Sequence, residues 1–448
     1  MDLDGRYINK PNLKAAHLGG FFVALNYIRT SICYANQNCN NGKVLGKRDK
    51  YIPKNIAKKG NLMKISEIMK LESLEIKNFK SIPYMNIKKI GAISLFLGTN
   101  GSGKTAIFDA MRFIRECVMA RDITAPLQRR GGFYDLLHRN SESSKIHFKL
   151  VLSNKDDPEH KLTYTLEING SDAVTVSKED LTETRKIGKN YENSKLFNYR
   201  KGKGYITDPK NEKRELQATN IALGKLGEFT EYKKVNAFRN YVADWYFADF
   251  FVNTMRDESL DFVDATKLRE DCRNLREVLL NIKQTNKDAY GKIVNNIKLC
   301  LPEIKSIGVV QKEKQTHLEI IDKNFTSPFS ELSVSDGALK LLAYITLLAQ
   351  KEKISFLMIE EPENQIYVES LTLLFELFDS AAFEGLQMFI STHSPDFIKN
   401  ASTDNVIIVT KQDGKTQVQK LASNKMLKKY VSTVGISEAW RDGGLFSI

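Results

Sequence analysis

The amino-acid sequence predicts an α/β protein, and three features carry that prediction. The apolar run at 92–97 ("AISLFL") is followed by a glycine-rich turn and then by a helical pattern with one apolar face. Two later apolar runs, 354–360 and 386–391, have the length of buried strands and alternate with helical patterns. Between these regions, 145–153 and 161–168 alternate apolar and polar residues around the turn "NKDDPEH", which predicts a hairpin.

In chain order, the first predicted element is a strand that starts at Met69 ("MKLESLEIKNF"). The polar segment 183–216 mixes both charge signs, and we expect a solvated loop there. From 235 to 300 the pattern is helical, most clearly at 266–283. The remaining predicted elements are strands 304–310 and 316–321, helix 336–350, strand 354–360, helix 366–380, strand 386–391 and a closing strand 405–410.

The composition is that of an ordinary globular protein. The 448 residues are 42% hydrophobic and 27% charged, which is enough to bury a large core in two or three domains. The five cysteines form no CxxC pair, so the sequence supports neither a disulfide framework nor a zinc site, and we expect a cytoplasmic protein. No apolar run approaches the ~20 residues that span a bilayer, so we expect no membrane partner.

The net charge of +13 is unevenly distributed along the chain. Residues 1–62 contain eleven basic and three acidic residues, so +8 of the charge lies there. Their Asn-, Lys- and Gly-rich sequence is typical of a poorly ordered extension, and we expect the ordered domain to begin near Met69. Because the remaining chain is nearly balanced, bulk charge is weak support for nucleic-acid binding, and DNA is only a candidate partner.

The glycine-rich turn at 98–105 ("GTNGSGKT") has the spacing of a phosphate-binding loop. Backbone N–H groups of such a loop and the N-terminus of the following helix point at phosphate oxygens. Lys104 would reach the β- and γ-phosphates of ATP, and Thr105 would hold Mg²⁺. The alternative is an ordinary glycine turn. The predicted nucleotide-binding residues of this loop are Gly98, Thr99, Asn100, Gly101, Ser102, Gly103, Lys104 and Thr105.

Two adjacent carboxylates end the apolar strand 354–360. Burial of Glu360 and Glu361 is unfavourable unless cations compensate their charges, and Mg²⁺ with a phosphate-bound Lys104 would do so. We assign Glu360 to the metal, through a water, and Glu361 to the attacking water as general base. The alternative is a solvated strand end.

A histidine follows the strand 386–391, in the sequence "STHSP". At a strand end, His393 can donate a hydrogen bond to a γ-phosphate or stabilise the attacking water. For a lone histidine, a purely structural role is the more common alternative.

The order of "GTNGSGKT", "SDGALKLLA", "FLMIEEPEN" and "STHSP" resembles the ABC-type ATPase heads of the SMC, RecF and OLD-nuclease group. It is most similar to their compact stand-alone relatives, the AAA-family ATPases, and covers 69–448. The resemblance implies a P-loop NTPase head with a mixed or parallel sheet core, an antiparallel β subdomain and a helical lobe with the signature motif. The implied parts are 69–235, 236–350 and 351–448.

The resemblance also implies roles for individual residues. Ser335, Asp336 and Gly337 match the signature, which contacts the γ-phosphate bound by the other subunit. Glu360 and Glu361 match the Walker B carboxylate and the catalytic glutamate, and His393 matches the switch histidine. The implied active unit is a head-to-head homodimer, or a higher oligomer, that sandwiches ATP.

The sequence departs from the family pattern at several positions. Glu360 stands where aspartate is usual, and the signature reads Ser-Asp-Gly where transporters have Ser-Gly-Gly. Residues 365–368 read Gln-Ile-Tyr-Val where relatives have Gly-Leu-His-Pro, which puts the subunit-crossing loop in question. No glutamine of the Q-loop is found, and Asn253 or Arg256 are the candidates to replace it.

Three functions fit these observations. The first is an ATP-hydrolysing switch in nucleic-acid maintenance or phage defence, acting with a separately encoded nuclease or other effector. The second is a nucleotide-dependent sensor or scaffold with little turnover. The third is a transporter subunit, but the large insert between the phosphate loop and the signature is not typical of that class. We expect no nuclease domain in this chain, because no DxD pair follows His393.

Overall fold

The computed structural model describes residues 69–207, 211–257, 264–312, 315–350 and 354–445. The predicted extension 1–62 lies outside these residues, and the predicted division of 69–448 into three parts stays a prediction. The strands are β1 (Met69–Phe79), β2 (Ile82–Lys88), β3 (Ile93–Leu97), β4 (Lys145–Asn154), β5 (Lys161–Asn169), β6 (Thr175–Ile187), β7 (Asn190–Arg200), β8 (Lys203–Ile206), β9 (Glu212–Lys213), β10 (Trp245–Ala248), β11 (Ile304–Lys312), β12 (Gln315–Asp322), β13 (Phe329–Ser330), β14 (Phe356–Glu360), β15 (Met388–Thr392), β16 (Val406–Gln412) and β17 (Lys415–Lys420).

The described chain begins with three strands, and its first helix starts at Lys104. None of its helices is long and apolar enough to cross a membrane, as far as the described residues go. Short 3₁₀ turns lie at Glu331–Ser333, Thr403–Asn405 and Leu421–Ser423. The α-helices are α1 (Lys104–Ala120), α2 (Thr124–Gln128), α3 (Phe133–Leu136), α4 (Ala222–Leu226), α5 (Lys233–Ala243), α6 (Val252–Met255), α7 (Leu275–Thr285), α8 (Lys287–Cys300), α9 (Asp336–Leu348), α10 (Val368–Phe383), α11 (Lys425–Val434) and α12 (Ile436–Arg441).

A six-stranded sheet carries the strands that precede the predicted site residues. Its order is β10-β14-β15-β3-β16-β17, with parallel pairing throughout except for the antiparallel β16–β17 pair. The predicted strands before the phosphate loop, before Glu361 and before His393 are therefore neighbours in one sheet. Because parallel strands end at the same edge, the three predicted segments meet there. The α/β prediction is confirmed.

An eight-stranded antiparallel sheet, ordered β2-β1-β4-β5-β6-β7-β8-β9, confirms the predicted hairpin of β4 and β5. The prediction of a solvated loop at 183–216 is wrong, because this segment contains the end of β6 and all of β7, β8 and β9. Residues 190–195 are exposed on both faces of the β6–β7 hairpin, so they show no apolar alternation. Only the second half of β7 buries side chains, at Leu196, Phe197 and Tyr199.

The helical prediction for 235–300 is correct at α5, α6, α7 and α8 and wrong in two places. Residues 266–274, the first half of the stretch where the helical pattern is clearest, form turns and bends. In addition, Trp245–Ala248 form β10, the fully buried edge strand next to β14. A run of four apolar residues is too short for periodicity to distinguish a strand from a helix. The predicted strands 304–310 and 316–321 are confirmed as β11 and β12 of a three-stranded sheet.

The six-stranded sheet has apolar side chains buried on both faces. Phe96 and Phe389 pack on one face with α1 and the eight-stranded sheet. Leu95 and Ile390 pack on the other face with α7 to α10. Burial on both faces explains why the parallel strands read as continuous apolar runs.

Candidate nucleotide-binding site

The phosphate-loop candidate connects β3 to α1 through a turn that requires glycine. Gly101 and Gly103 have φ angles of 77° and 108°, a region that side chains with a Cβ rarely occupy. A Cβ on Gly103 would also lie 2.0 Å from Thr416 Oγ1, so no larger residue fits. The turn therefore delivers the chain directly to the N-terminus of α1, where backbone N–H groups are free of helical partners.

Thr416 of β17 contacts this loop, a role that sequence reasoning missed. Its buried hydroxyl donates to the Ser102 carbonyl oxygen at 2.9 Å and lies 2.8 Å from the Ser81 hydroxyl. Thr416 is 314 residues from Ser102 in the chain, so no local pattern could reveal the contact.

The ammonium group of Lys104 lies at the loop and faces the carboxylates at the strand ends. Lys104 is 6% exposed, and its Nζ donates to the carbonyl oxygens of Gly98 at 2.6 Å and Thr99 at 3.2 Å. Burial lowers the pKa of Lys104, and the negative charges of Glu361, Glu363 and Glu360 oppose that shift. The predicted lysine and both predicted glutamates are thus brought together.

Thr105 and Glu360 form the candidate metal site. The Thr105 hydroxyl hydrogen bonds to the Glu360 carboxylate. Burial raises the pKa of Glu360, while that hydrogen bond and the charge of Arg112 oppose the rise. The Thr105 hydroxyl and the Glu360 carboxylate both offer oxygen atoms as metal ligands. Mg²⁺ prefers oxygen ligands, so the two residues fit this ion. The described residues contain no cluster of three or more His, Cys, Asp or Glu with metal-binding geometry, so a metal there would take further ligands from phosphate and water.

Glu361 and His393, predicted from separate strands, lie side by side. Glu361 Oε1 is 3.5 Å from His393 Nδ1, and the Asn364 side-chain amide donates to Glu361 Oε2 at 3.0 Å. The Glu361 backbone has a φ of 47° and its N–H donates to the Ser391 carbonyl at 2.8 Å. A non-glycine residue in this region is uncommon and is often found at functional sites. The Glu361 side chain keeps 32% of its surface exposed, which allows access to water.

A third carboxylate, Glu363, was missed as a site residue although it lies within "EEPEN". Its Oε1 accepts hydrogen bonds from the Thr392 hydroxyl at 2.7 Å and from the His393 backbone N–H at 2.9 Å. The same oxygen lies 3.4 Å from His393 Nδ1, and the side chain is only 7% exposed. Glu363 thus fixes the end of β15 to the loop after β14.

The signature candidates lie at the start of α9. The Ser335 side chain caps this helix by accepting a hydrogen bond from the Ala338 N–H at 3.3 Å. A Cβ on Gly337 would lie 2.5 Å from the Gln365 carbonyl oxygen, so the signature turn packs closely on the loop after Glu361. Among the hydrogen bonds of the described residues, one joins Asp336 to Gln365 of that loop, and none joins Ser335, Asp336 or Gly337 to residues 98–105 of the same chain.

The two candidates for the Q-loop position lie away from the carboxylates. Asn253 is exposed, and Arg256 forms an ion pair with Asp336 at 2.8 Å and donates to the Val334 carbonyl at 2.7 Å. Arg256 therefore holds the turn that begins α9. The side chain that follows β10 and acts electrostatically on Glu360 is Asp249, paired with Arg112 at 2.6 Å.

The comparisons with known proteins agree with this geometry. A family model described as "AAA domain, putative AbiEii toxin, Type IV TA system" matches residues 93–399. The structure of an SMC head bound to the C-winged helix domain of ScpA has a TM-score of 0.51 at 13% identity, covering 80% of this chain and 99% of that chain. An SMC head with an extended coiled coil from Pyrococcus furiosus, bound to the C-terminal domain of ScpA, has a TM-score of 0.50 at 14% identity, covering 82% and 100%.

No curated protein sequence matches the chain. At 13–14% identity, the SMC heads are similar to this chain in fold alone. That similarity confirms the predicted P-loop NTPase head.

Proposed function

Because the chain belongs to the AAA-domain family described as "putative AbiEii toxin, Type IV TA system", we propose that it binds and hydrolyses ATP and uses ATP to join two copies of itself. The observation that carries this proposal is the meeting of Lys104, Glu361 and His393 at one edge of the six-stranded sheet, after the adjacent strands β3, β14 and β15. If these three side chains had only structural roles, there would be no reason for a lysine, a glutamate and a histidine to lie together at this edge.

The proposed chemistry assigns one task to each group. The loop 98–105 and Lys104 bind the triphosphate through N–H groups and one ammonium. Thr105 and Glu360 would hold Mg²⁺, which when bound supplies positive charge to the phosphate oxygens. Glu361 accepts a proton from water, the water oxygen attacks the γ-phosphorus, and the bond to the β–γ bridging oxygen breaks to release ADP.

Contacts within the chain support an ATP-dependent dimer. The Gln365 amide donates to Asp336 at 3.3 Å, and Gly337 packs on the Gln365 carbonyl. If the γ-phosphate of the partner's ATP bound at Ser335, any shift of the 335–337 turn would be passed to the loop that carries Glu361. In this way, binding at the interface and hydrolysis in the same chain would be coupled.

The wider role belongs to the same proposal. The two SMC heads are bound to domains of ScpA, and the family description names a putative toxin of a toxin–antitoxin system. By analogy, we propose a separately encoded effector or nuclease as partner and a role in phage defence or nucleic-acid maintenance. The cytoplasm is the proposed location, since the described cysteines, Cys117, Cys272 and Cys300, are free thiols.

Steady-state phosphate release by the purified protein with Mg²⁺ tests the enzymatic part. Glu361→Gln removes the proton acceptor but keeps the shape, so release should fall by roughly 100-fold or more while ATP affinity is retained. Glu303→Gln, an exposed carboxylate change elsewhere, is the matched control. Turnover by Glu361→Gln at the wild-type rate would exclude the assigned base. ATP-dependent assembly with no turnover by the wild type would favour the sensor or scaffold instead.

A further inference from the structure

Positive charge in the body of the chain is concentrated in one late segment. Residues 405–430 contain six lysines and one aspartate, a net charge of +5. Residues 69–448 as a whole also carry +5, so the remainder of this body is balanced. Although the body is nearly neutral as a whole, it therefore has a local excess of positive charge in β16, β17 and α11.

The fold gathers part of this charge around one groove. Lys88 and Lys89 at the end of β2 and Lys420 at the end of β17 line a groove of about 560 Å³. The Lys420 ammonium donates to the Lys89 carbonyl oxygen, which fixes the two strand ends together. Lys428 of α11 lies 3.5 Å from Asp404, an acidic residue on the rim of the same groove. We call Lys88, Lys89, Lys420 and Lys428 the basic groove.

The groove lining contains three lysines and one carboxylate, Asp404, which also pairs with Lys428. Burial lowers the pKa of Lys420, and the positive charge of Lys89 lowers it further, against the opposing charge of Asp404. A bound anion would reduce the repulsion between these positive charges. By contrast, Lys161 of the eight-stranded sheet pairs with Glu72 at 2.9 Å.

The other side chains of the groove suit phosphate oxygens rather than bases. Gln419 and Ser423 supply neutral hydrogen-bond donors of the kind that contact nucleic-acid backbones. In 405–430, the exposed large apolar residue is Met426, and Tyr430 is partly buried and bonded to Asp442. Single-strand binding relies on aromatic side chains for stacking, so this surface fits a duplex better.

We propose that the basic groove binds the phosphate backbone of duplex DNA without sequence preference. This inference rests on the proposed function only in naming the macromolecule on which the ATP-dependent switch acts. β17 also carries Thr416, whose hydroxyl contacts Ser102 of the phosphate loop. Lys420 lies four residues after Thr416 on the same strand, so DNA bound at Lys420 is expected to alter turnover.

Fluorescence anisotropy of the full-length protein with a labelled duplex tests the proposal across a salt series. The triple variant Lys88→Ala/Lys89→Ala/Lys420→Ala should bind roughly tenfold or more weakly, and its log–log salt slope should fall by about 2.7, since each phosphate contact contributes ~0.9. Lys186→Ala/Lys189→Ala/Lys195→Ala removes the same charge from the exposed β6–β7 hairpin and should leave affinity and slope unchanged.

Two further arms keep the outcome clear. Because Lys420 holds the Lys89 carbonyl, Lys88→Gln/Lys428→Gln repeats the test at exposed positions without that contact. Unlabelled single-stranded DNA and RNA serve as competitors, and either of them competing better than duplex would overturn the choice of partner. Equal losses in the groove and hairpin variants, or none in the groove variants, would overturn the site. Phosphate release without DNA should stay at the wild-type rate in the groove variants, so failure of this inference is separable from failure of the ATPase proposal.

Discussion

The Glu363 carboxylate accepts a hydrogen bond from the His393 backbone N–H at 2.9 Å, although Glu363 follows β14 and His393 follows β15. The same carboxylate oxygen accepts the Thr392 hydroxyl at 2.7 Å. The backbone of His393 is therefore held by the loop that also carries Glu361.

Glu363→Ala removes the acceptor of the buried Thr392 hydroxyl and of the partly buried His393 N–H. We expect the free energy of unfolding to fall by roughly 1–3 kcal/mol for each donor left unsatisfied, and phosphate release to fall with it. Glu363→Gln retains a carbonyl oxygen at the same position and should recover most of both losses. Urea unfolding and steady-state kinetics measure the two effects. Equal behaviour of the Ala and Gln variants would show that the hydrogen bonds do not position His393.

Lys104→Ala should remove measurable ATP binding in calorimetry. The triphosphate would lose the ammonium that the loop provides, and one charge-assisted hydrogen bond alone contributes about 1.5–3 kcal/mol. Lys312→Ala, which removes a lysine with 64% of its side chain exposed, is the matched control and should bind ATP as the wild type does. Unchanged affinity of the Lys104 variant would refute the assignment of the phosphate loop.

Glu361→Gln and Ser335→Arg should have opposite effects on assembly. With ATP retained, Glu361→Gln is expected to be a stable dimer or larger assembly in ATP and to dissociate without it. Ser335→Arg places a bulky cation where the partner's γ-phosphate would bind, so it should bind ATP without assembling. Ser335→Ala loses the helix cap, worth about 1 kcal/mol, without adding the cation, and controls for that loss. Size-exclusion chromatography with light scattering measures the assemblies.

Mixing those two variants tests whether the sites are shared between chains. A mixed dimer contains one doubly altered site and one site with Glu361 and Ser335 both intact, so part of the phosphate release should return. No recovery on mixing, together with a monomeric Glu361→Gln variant in ATP, would favour a monomeric phosphate-loop enzyme.

The buried carboxylate of Glu179 predicts a pH dependence of stability. It is fully buried, and it accepts hydrogen bonds from the Ala222 and Leu223 N–H groups and from the Tyr164 hydroxyl. Burial raises its pKa from 4.5 to about 7, against those hydrogen bonds. Since the folded pKa lies above the unfolded one, the folded state holds the proton more tightly, and this stabilisation is lost as pH rises through that interval.

The comparison with Glu179→Gln isolates this effect. Between about pH 5 and about pH 8, the stability of the wild type relative to the variant should fall by roughly 3 kcal/mol, at about 1.4 kcal/mol for each unit of pKa shift. Urea unfolding at a series of pH values measures the difference. A difference that does not change with pH would mean that Glu179 titrates alike in both states.

The predictable parts of this fold were those that a short local pattern determines. β3 with its glycines, β14 with its paired carboxylates and β15 with its histidine are each complete within about ten residues, and all three were located. β10 was missed because four apolar residues carry no period, and β7 because its exposed half is polar on both faces. Glu363 and Thr416 owe their roles to partners on other strands, which a single sequence does not display.

The position of β3 between β15 and β16 bears on how the protein is made. Ribosomes synthesise the phosphate loop early, but its strand can pair only with strands from the last quarter of the chain, and Thr416 is 314 residues from the Ser102 carbonyl that it contacts. Pairing across such distances is slow compared with local folding. A growing polypeptide would therefore be unable to bind ATP until its synthesis is almost finished. A prematurely terminated product would retain the loop sequence but would not form the nucleotide site.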